Sequence, residues 1–182
     1  MKKLFKTLFI ATLLFTLITN AQITQENWLV GGDASFISSS VTTENGFKQS
    51  GTGVRIAPNI GYFIKDKFAV GLKTSFGYSK SDAGSGIGFG GGPFVRYYLL
   101  KPEKIVNILM EADYRFGTSK LQGNNDSTNS SSYNLKAGPV IYFNSSVGLE
   151  LTLNYFSTKL DKTVFNDFSF AIGFQIHLEN NN

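Results

Sequence analysis

The chain has 182 residues, 42% of them hydrophobic and 16% charged, and no cysteine. Three of its 17 Lys and Arg residues (Lys2, Lys3, Lys6) fall within the first 21 residues and none of its 13 acids does, so the formal charge of +4 drops to +1 for the remainder. This balance excludes the basic footprint of a nucleic-acid binder, the missing cysteines exclude disulfides and lipid attachment through a thiol, and no run after the N-terminus approaches the ~18 apolar residues of a transmembrane helix.

Residues 1–21 read as a signal peptide. Lys2, Lys3 and Lys6 form a basic start, Leu8 to Ile18 an apolar core too short to cross a bilayer, and Thr19-Asn20-Ala21 a cleavable ending before Gln22. An N-terminal anchor is the alternative, and the short core and the cleavable ending weigh against it.

After residue 25 the chain alternates apolar and polar residues with a period of two, the signature of strands with one face of each kind. Strands are predicted at about 27–37, 52–63, 68–79, 87–99, 105–116, 133–143, 147–156 and 167–178. Most exceed the five or six residues typical of globular strands and reach the ~10 that a tilted strand needs to cross a bilayer. The connections alternate too. Segments 38–51, 80–86, 117–132 and 157–166, rich in Ser, Thr, Asn and Gly, read as loops at one end. Lys65-Asp66-Lys67, Lys101-Pro102-Glu103-Lys104 and Asn144-Ser145-Ser146 read as tight turns at the other. Long loops at one end and short turns at the other suit an up-and-down membrane barrel.

An internal repeat marks the turn end. Ala57-Pro58 to Tyr62, Gly92-Pro93 to Tyr97 and Gly138-Pro139 to Phe143 each place a small residue and a proline just ahead of an aromatic. Proline cannot donate to a strand ladder, so a repeated β-bulge is expected there. Trp28, Tyr62, Tyr97 and Phe143 form a predicted turn-side aromatic girdle. Phe36, Phe76, Tyr78, Tyr114, Phe116, Tyr133, Tyr155 and Phe168 bank at the opposite end of the same face. Two such belts match the interfaces of a membrane barrel.

Alternation alone leaves open whether the apolar face looks outward to lipid or inward to a lipocalin-like cavity. Residue size decides. The polar register holds Gly31, Gly61, Gly71, Gly77, Gly90, Gly92, Gly138 and Gly173, as the narrow interior of eight strands requires. It also carries both signs of charge: Asp33, Arg55, Lys73, Arg96, Glu111, Asp113, Arg115, Lys136 and Glu150. Such ions are expected to neutralise one another in a filled lumen. The fold class expected is all-β, an eight-stranded antiparallel up-and-down transmembrane β-barrel spanning residues 22–182.

Trp28-Leu29-Val30-Gly31-Gly32, the stretch from Pro58 to Tyr62 running on to Phe68-Ala69-Val70-Gly71-Leu72, and Gly92-Pro93-Phe94-Val95-Arg96-Tyr97-Tyr98 resemble the small outer-membrane β-barrel proteins of the OmpA/OmpX-like transmembrane type. The resemblance implies a barrel-only member, a bacterial outer-membrane location, contact with outer-membrane lipid, and insertion by the barrel-assembly machinery, with the last strand (Gly173, Ile176, Leu178) as its signal. Leu178 is aliphatic where the family often ends in an aromatic.

Chemical motifs are weak. Gly86 to Gly91 has the spacing of a phosphate loop, but a strand, not a helix, follows. Glu111, Asp113 and Arg115 share a face and read as part of the lumen network rather than as acid–base machinery. His177, the single histidine, falls at the turn-side rim, away from where a lipid-modifying hydrolase would need it. Asn124, Asn125 and Asp126 make an acid-poor loop for calcium, and Asp126-Ser127-Thr128 is a weak O-glycosylation pattern. No catalytic, metal or cofactor site is expected. The function expected is display of four loops to an unknown surface ligand. A solute or lipid conduit and, after it, a lipid-modifying enzyme are the alternatives.

Overall fold

The computed structural model describes residues 23–42, 48–82, 84–122, 127–160 and 163–179. The expected signal peptide, residues 43–47, and residues 123–126 with the calcium motif lie outside the described residues. Eight strands follow one another: β1 (Trp28–Thr42), β2 (Lys48–Lys65), β3 (Phe68–Ser81), β4 (Gly84–Tyr98), β5 (Val106–Leu121), β6 (Ser127–Tyr142), β7 (Val147–Leu160) and β8 (Thr163–Leu178). Each pairs antiparallel with the next and β8 pairs back onto β1, closing the barrel. Closure leaves no unpaired sheet edge.

The strands run further than expected at the loop end. Ser38–Thr42 pairs with Lys48–Thr52, and Thr118–Lys120 with Ser127–Asn129, so most of the predicted loops 38–51 and 117–132 is ladder. Backbone pairing continues past the apolar belt whatever the side chains are. The predicted contrast between long loops and tight turns is therefore corrected. The β4–β5 connection, 99–105 at the turn end, is longer than any connection at the loop end.

The proline repeat works differently from the expected bulge. Pro58, Pro93 and Pro139 keep partners on one side: Gly32, Leu72 and Ile108. On the other side the ladder lapses for two residues and resumes in the same register: Ile56↔Phe76 to Asn59↔Lys73, Gly91↔Phe116 to Phe94↔Asp113, Ala137↔Leu153 to Val140↔Glu150. The ladder shift that does occur in β2–β3 lies at Phe63/Lys65, beside the turn. The missing proline N–H leaves a carbonyl unserved, and at Pro93 and Pro139 the glycine before the proline lets that carbonyl close in, whereas Pro58 follows Ala57. A methyl group on Gly92 would collide with the Tyr114 carbonyl oxygen, and one on Gly138 with that of Leu151. We expect Gly92→Ala to cost about 1–3 kcal/mol, as overpacking does. Gly77→Ala, whose methyl meets nothing nearer than 3.9 Å, stays within about 0.5 kcal/mol. Urea unfolding of both variants in vesicles checks this, and equal costs would contradict the close approach.

The two faces sort as the alternation predicts. Leu153 is 66% and Phe168 74% exposed on the outside, whereas Arg96 and Glu150 are fully buried inside. The expectation of a small, polar interior fails at the turn end. There Leu29, Phe63, Ala69, Phe94, Tyr98, Leu109, Val140 and Tyr142 point inward and pack with Ile23 into an apolar plug. Residues 23–27 strap across it. The Ile23 carbonyl accepts from the Lys67 N–H at 2.7 Å, and the Phe63 N–H donates to the Asn27 carbonyl at 2.9 Å. The sequence signal is a lapse of alternation: Trp28-Leu29-Val30, Tyr62-Phe63-Ile64 and Ile108-Leu109-Met110 are apolar on both faces.

Candidate functional site: a filled lumen with a polar mouth

Above the plug, six of the nine predicted lumen charges meet in one network. Arg96 and Glu111 are direct partners across β4–β5, and Glu111 and Lys136 across β5–β6, so three charges of alternating sign stand side by side on the wall. Arg96 donates from Nε to Glu111 Oε2 and from Nη1 to Glu150 Oε1, both at 2.7 Å. Lys136 Nζ reaches Asp33 at 2.9 Å, Glu150 at 3.4 Å and Glu111 at 3.6 Å. Lys73 Nζ reaches Asp33 at 3.4 Å and also bonds Glu111. Asp33 on β1 thus joins Lys136 on β6 across the lumen. Three acids balance three cations, which is what allows full charges to be buried.

Arg55, Asp113 and Arg115 form a separate cluster nearer the loop end. Asp113 accepts from Arg115 Nε at 2.5 Å and from Asn134 Nδ2 at 2.8 Å. The Arg55 and Arg115 guanidiniums both lie over the Phe156 ring, with Cζ at 4.4 and 5.2 Å from its centroid. Beyond them the lumen opens into a well of about 190 Å³ bordered by Ser75, Ser132 and Thr158, which continues into about 390 Å³ between Gly53, Ser79 and Ser119.

Sequence reasoning missed several members. Phe156 was masked by its apolar character in a polar register. Asp167, which acts electrostatically on Arg55, continues the inward register of Ser169, Ala171 and Gly173, and parity alone would have found it. Tyr98 links the network to the plug: its hydroxyl lies 3.2 Å from Arg96 Nη1 and 3.4 Å from His177 Nε2. His177 sits at the turn end as expected, fully buried among Phe63, Tyr98 and Tyr142, with ring centroids 5.6–6.0 Å away. Gly86 to Gly91 lies wholly within β4 and opens no helix.

On the outside, the turn-side aromatics Trp28, Tyr62, Tyr97 and Phe143 face outward. Trp28 packs edge-on against Tyr62 at 5.2 Å, and Lys67 Nζ lies 5.4 Å from the Tyr97 ring. At the loop end Phe76–Phe89, Tyr114–Phe116 and Tyr155–Phe168 pair at 5.0–5.1 Å. Between the two belts the wall is apolar and mostly aliphatic, with Leu72, Leu135, Leu153 and Ile172 all exposed. A contiguous apolar girdle around a charged interior belongs in hydrocarbon, not in water.

No protein-family model matches the chain, and no curated protein matches it in sequence. Solved structures do match. Neisserial surface protein A (NspA) superposes with a TM-score of 0.58 at 16% identity, covering 82% of this chain and 96% of that one. The N-terminal β-barrel domain of Pseudomonas aeruginosa OprF gives 0.55 at 15% identity, covering 85% and 98%. The outer membrane protein OprG of the same organism gives 0.55 at 14% identity, covering 88% and 100%. At such identities the likeness is one of fold. Strand number, facing and closure agree with it: the chain has the fold of the small eight-stranded transmembrane β-barrels of outer membranes, the OmpA/OmpX-like type.

Proposed function

We propose that this protein is an integral outer-membrane scaffold, neither pore nor enzyme, that holds its loop end at the cell surface. Export through the signal segment 1–21 and insertion by the barrel-assembly machinery would deliver it. The connections within 38–51, 80–86, 117–132 and 157–166 would then meet a surface ligand. The observation that carries this reading is the double closure of the lumen: an apolar plug strapped by residues 23–27, and above it a balanced network of buried ion pairs. A narrow eight-stranded interior filled in this way has no room for a water column. The burial of His177 among aromatic rings supports the non-enzymatic part.

Purified protein in a planar bilayer tests it. The expected result is no steady conductance above background. Sustained single-channel currents would overturn the scaffold reading in favour of a conduit, and altered lipid A on mass spectrometry of overexpressing cells would overturn it in favour of an enzyme. Cell fractionation with a heat-dependent shift on detergent gels checks the location.

A further inference from the structure

The plug and the ion network account for most of the charged lumen. They leave out Arg55. This side chain has one nitrogen, Nη1, that is buried without a hydrogen-bond partner among the described residues. No carboxylate there lies within ion-pair distance of it: Asp33 is held by Lys73 and Lys136, and Asp113 by Arg115 and Asn134. Phe156 covers a face of the guanidinium at 4.4 Å. Stacking satisfies the π face of a guanidinium and leaves its in-plane N–H edge unserved. A buried N–H donor without an acceptor is costly, and a charged one more so.

Three further features sit around that edge. Arg115 stacks on the same ring, 5.2 Å from its centroid, so two like charges face one space, and the carboxylate bonded there, Asp113, serves Arg115 and not Arg55. The space is real: a cavity of about 190 Å³, bordered by Arg55, Arg115, Ser75, Ser130, Ser132 and Thr158. It leads towards the loop end, where glycines of β2, β3 and β4 keep the upper well of about 390 Å³ open. Paired planar guanidiniums with hydroxyls beside them are the groups that recognise oxyanions, which accept in-plane, charge-assisted hydrogen bonds.

We propose that the loop-end mouth is a binding well for a small oxyanion (phosphate, sulfate or carboxylate), held at its floor between Arg55 and Arg115 beneath the hydroxyls of Ser75, Ser130 and Thr158. Among the described residues Asp167 is the further carboxylate acting on Arg55, after Asp113 and Asp33, and the internal competitor. Because the well continues upward, the anion can be free or the charged end of a longer polar molecule such as a sugar. The proposal rests on the mouth alone, so its failure leaves the scaffold reading standing.

The test is nitrogen-15 NMR of the full chain in maltoside micelles, whose headgroup carries no phosphate. Inorganic phosphate, sulfate and chloride are titrated at constant ionic strength while the Nε–Hε signals of Arg55 and Arg115 are followed. Saturable shifts with phosphate and sulfate but not chloride are expected. Arg55→Gln should weaken binding by roughly tenfold or more, the loss of a charge-assisted bond, and Asp167→Asn should tighten it severalfold. A hexose 1-phosphate binding more tightly than phosphate identifies a glycan-borne anion, and equal affinity a free one. The proposal is overturned if no oxyanion gives saturable shifts, if chloride matches them, or if folded Arg55→Gln binds like the wild type. Should Arg55→Gln not fold, Asp167→Asn decides: tighter binding supports the well and unchanged binding overturns it.

Discussion

Replacing Arg96 with methionine is expected to destabilise the barrel by about 3–5 kcal/mol, the scale for removing one partner of a buried ion pair. Arg96 bonds both Glu111 and Glu150 through its guanidinium, and all three side chains are fully shielded. Its loss leaves three carboxylates facing Lys73 and Lys136, a buried excess of one negative charge that no water can solvate. Methionine keeps the bulk, so the penalty reads charge rather than cavity. Adding Glu111→Gln restores the balance of two acids to two lysines and should recover most of the loss. This makes the cycle diagnostic, since a purely steric defect would not be rescued. Equilibrium unfolding in urea from lipid vesicles gives the numbers. A single-variant cost below about 1 kcal/mol, typical of exposed pairs, would mean that the network is not dry.

Replacing Leu151 with arginine is expected to cost about 2–4 kcal/mol, as a cation does when it faces lipid near the midplane of a barrel. Leu151 points outward on β7, paired with Ile172 and four residues from Tyr155 of the loop-side belt. From that depth arginine has to stretch towards a headgroup or draw water in. The matching inward change, Ser75→Asn, adds a polar group to a half-open polar well and should be much milder. The contrast between the two variants, measured in one lipid, matters more than either value. Equal tolerance would mean that the facing is wrong.

Facing was legible because a strand has a period of two and the alternation survives above the turn end with few lapses, Phe156 among them. Runs such as Phe168, Phe170, Ile172, Phe174 and Ile176 against Ser169, Ala171, Gly173, Gln175 and His177 separate the two faces, and the small residues of the second set decide which one fits inside. The plug was less legible. Its residues differ from lipid-facing ones only in parity, and Phe63 or Leu109 beside equally apolar neighbours hides that parity. Strand ends at the loop side were misread because Ser, Thr and Gly outside the apolar belt have the composition of loops, while the hydrogen bonds that extend the ladder belong to the backbone. The charged residues of the lumen were identifiable, but their partners were not. Asp33 meets Lys136 from five strands away in the sequence and three round the closed barrel, and the stagger that brings them level is set by that closure, which no local pattern encodes. The prolines gave a correct position and a wrong device, since the ladder absorbs the missing donor by lapsing for two residues and resuming in register, without an extra residue.

The central claim is that bulky apolar side chains face hydrocarbon and the polar register faces a closed lumen. With no native cysteine to remove, single cysteines can carry spin labels at Leu72, Leu135, Leu153 and Ile172, and at the inward positions Ser75, Ser132 and Thr158. In bilayers, membrane-dissolved oxygen should relax the first set strongly and the second weakly, position by position. If the inward set is the more accessible to oxygen, or if a water-soluble nickel complex reaches Leu135 and Ile172 freely, the barrel is inside out and the membrane assignment fails with it.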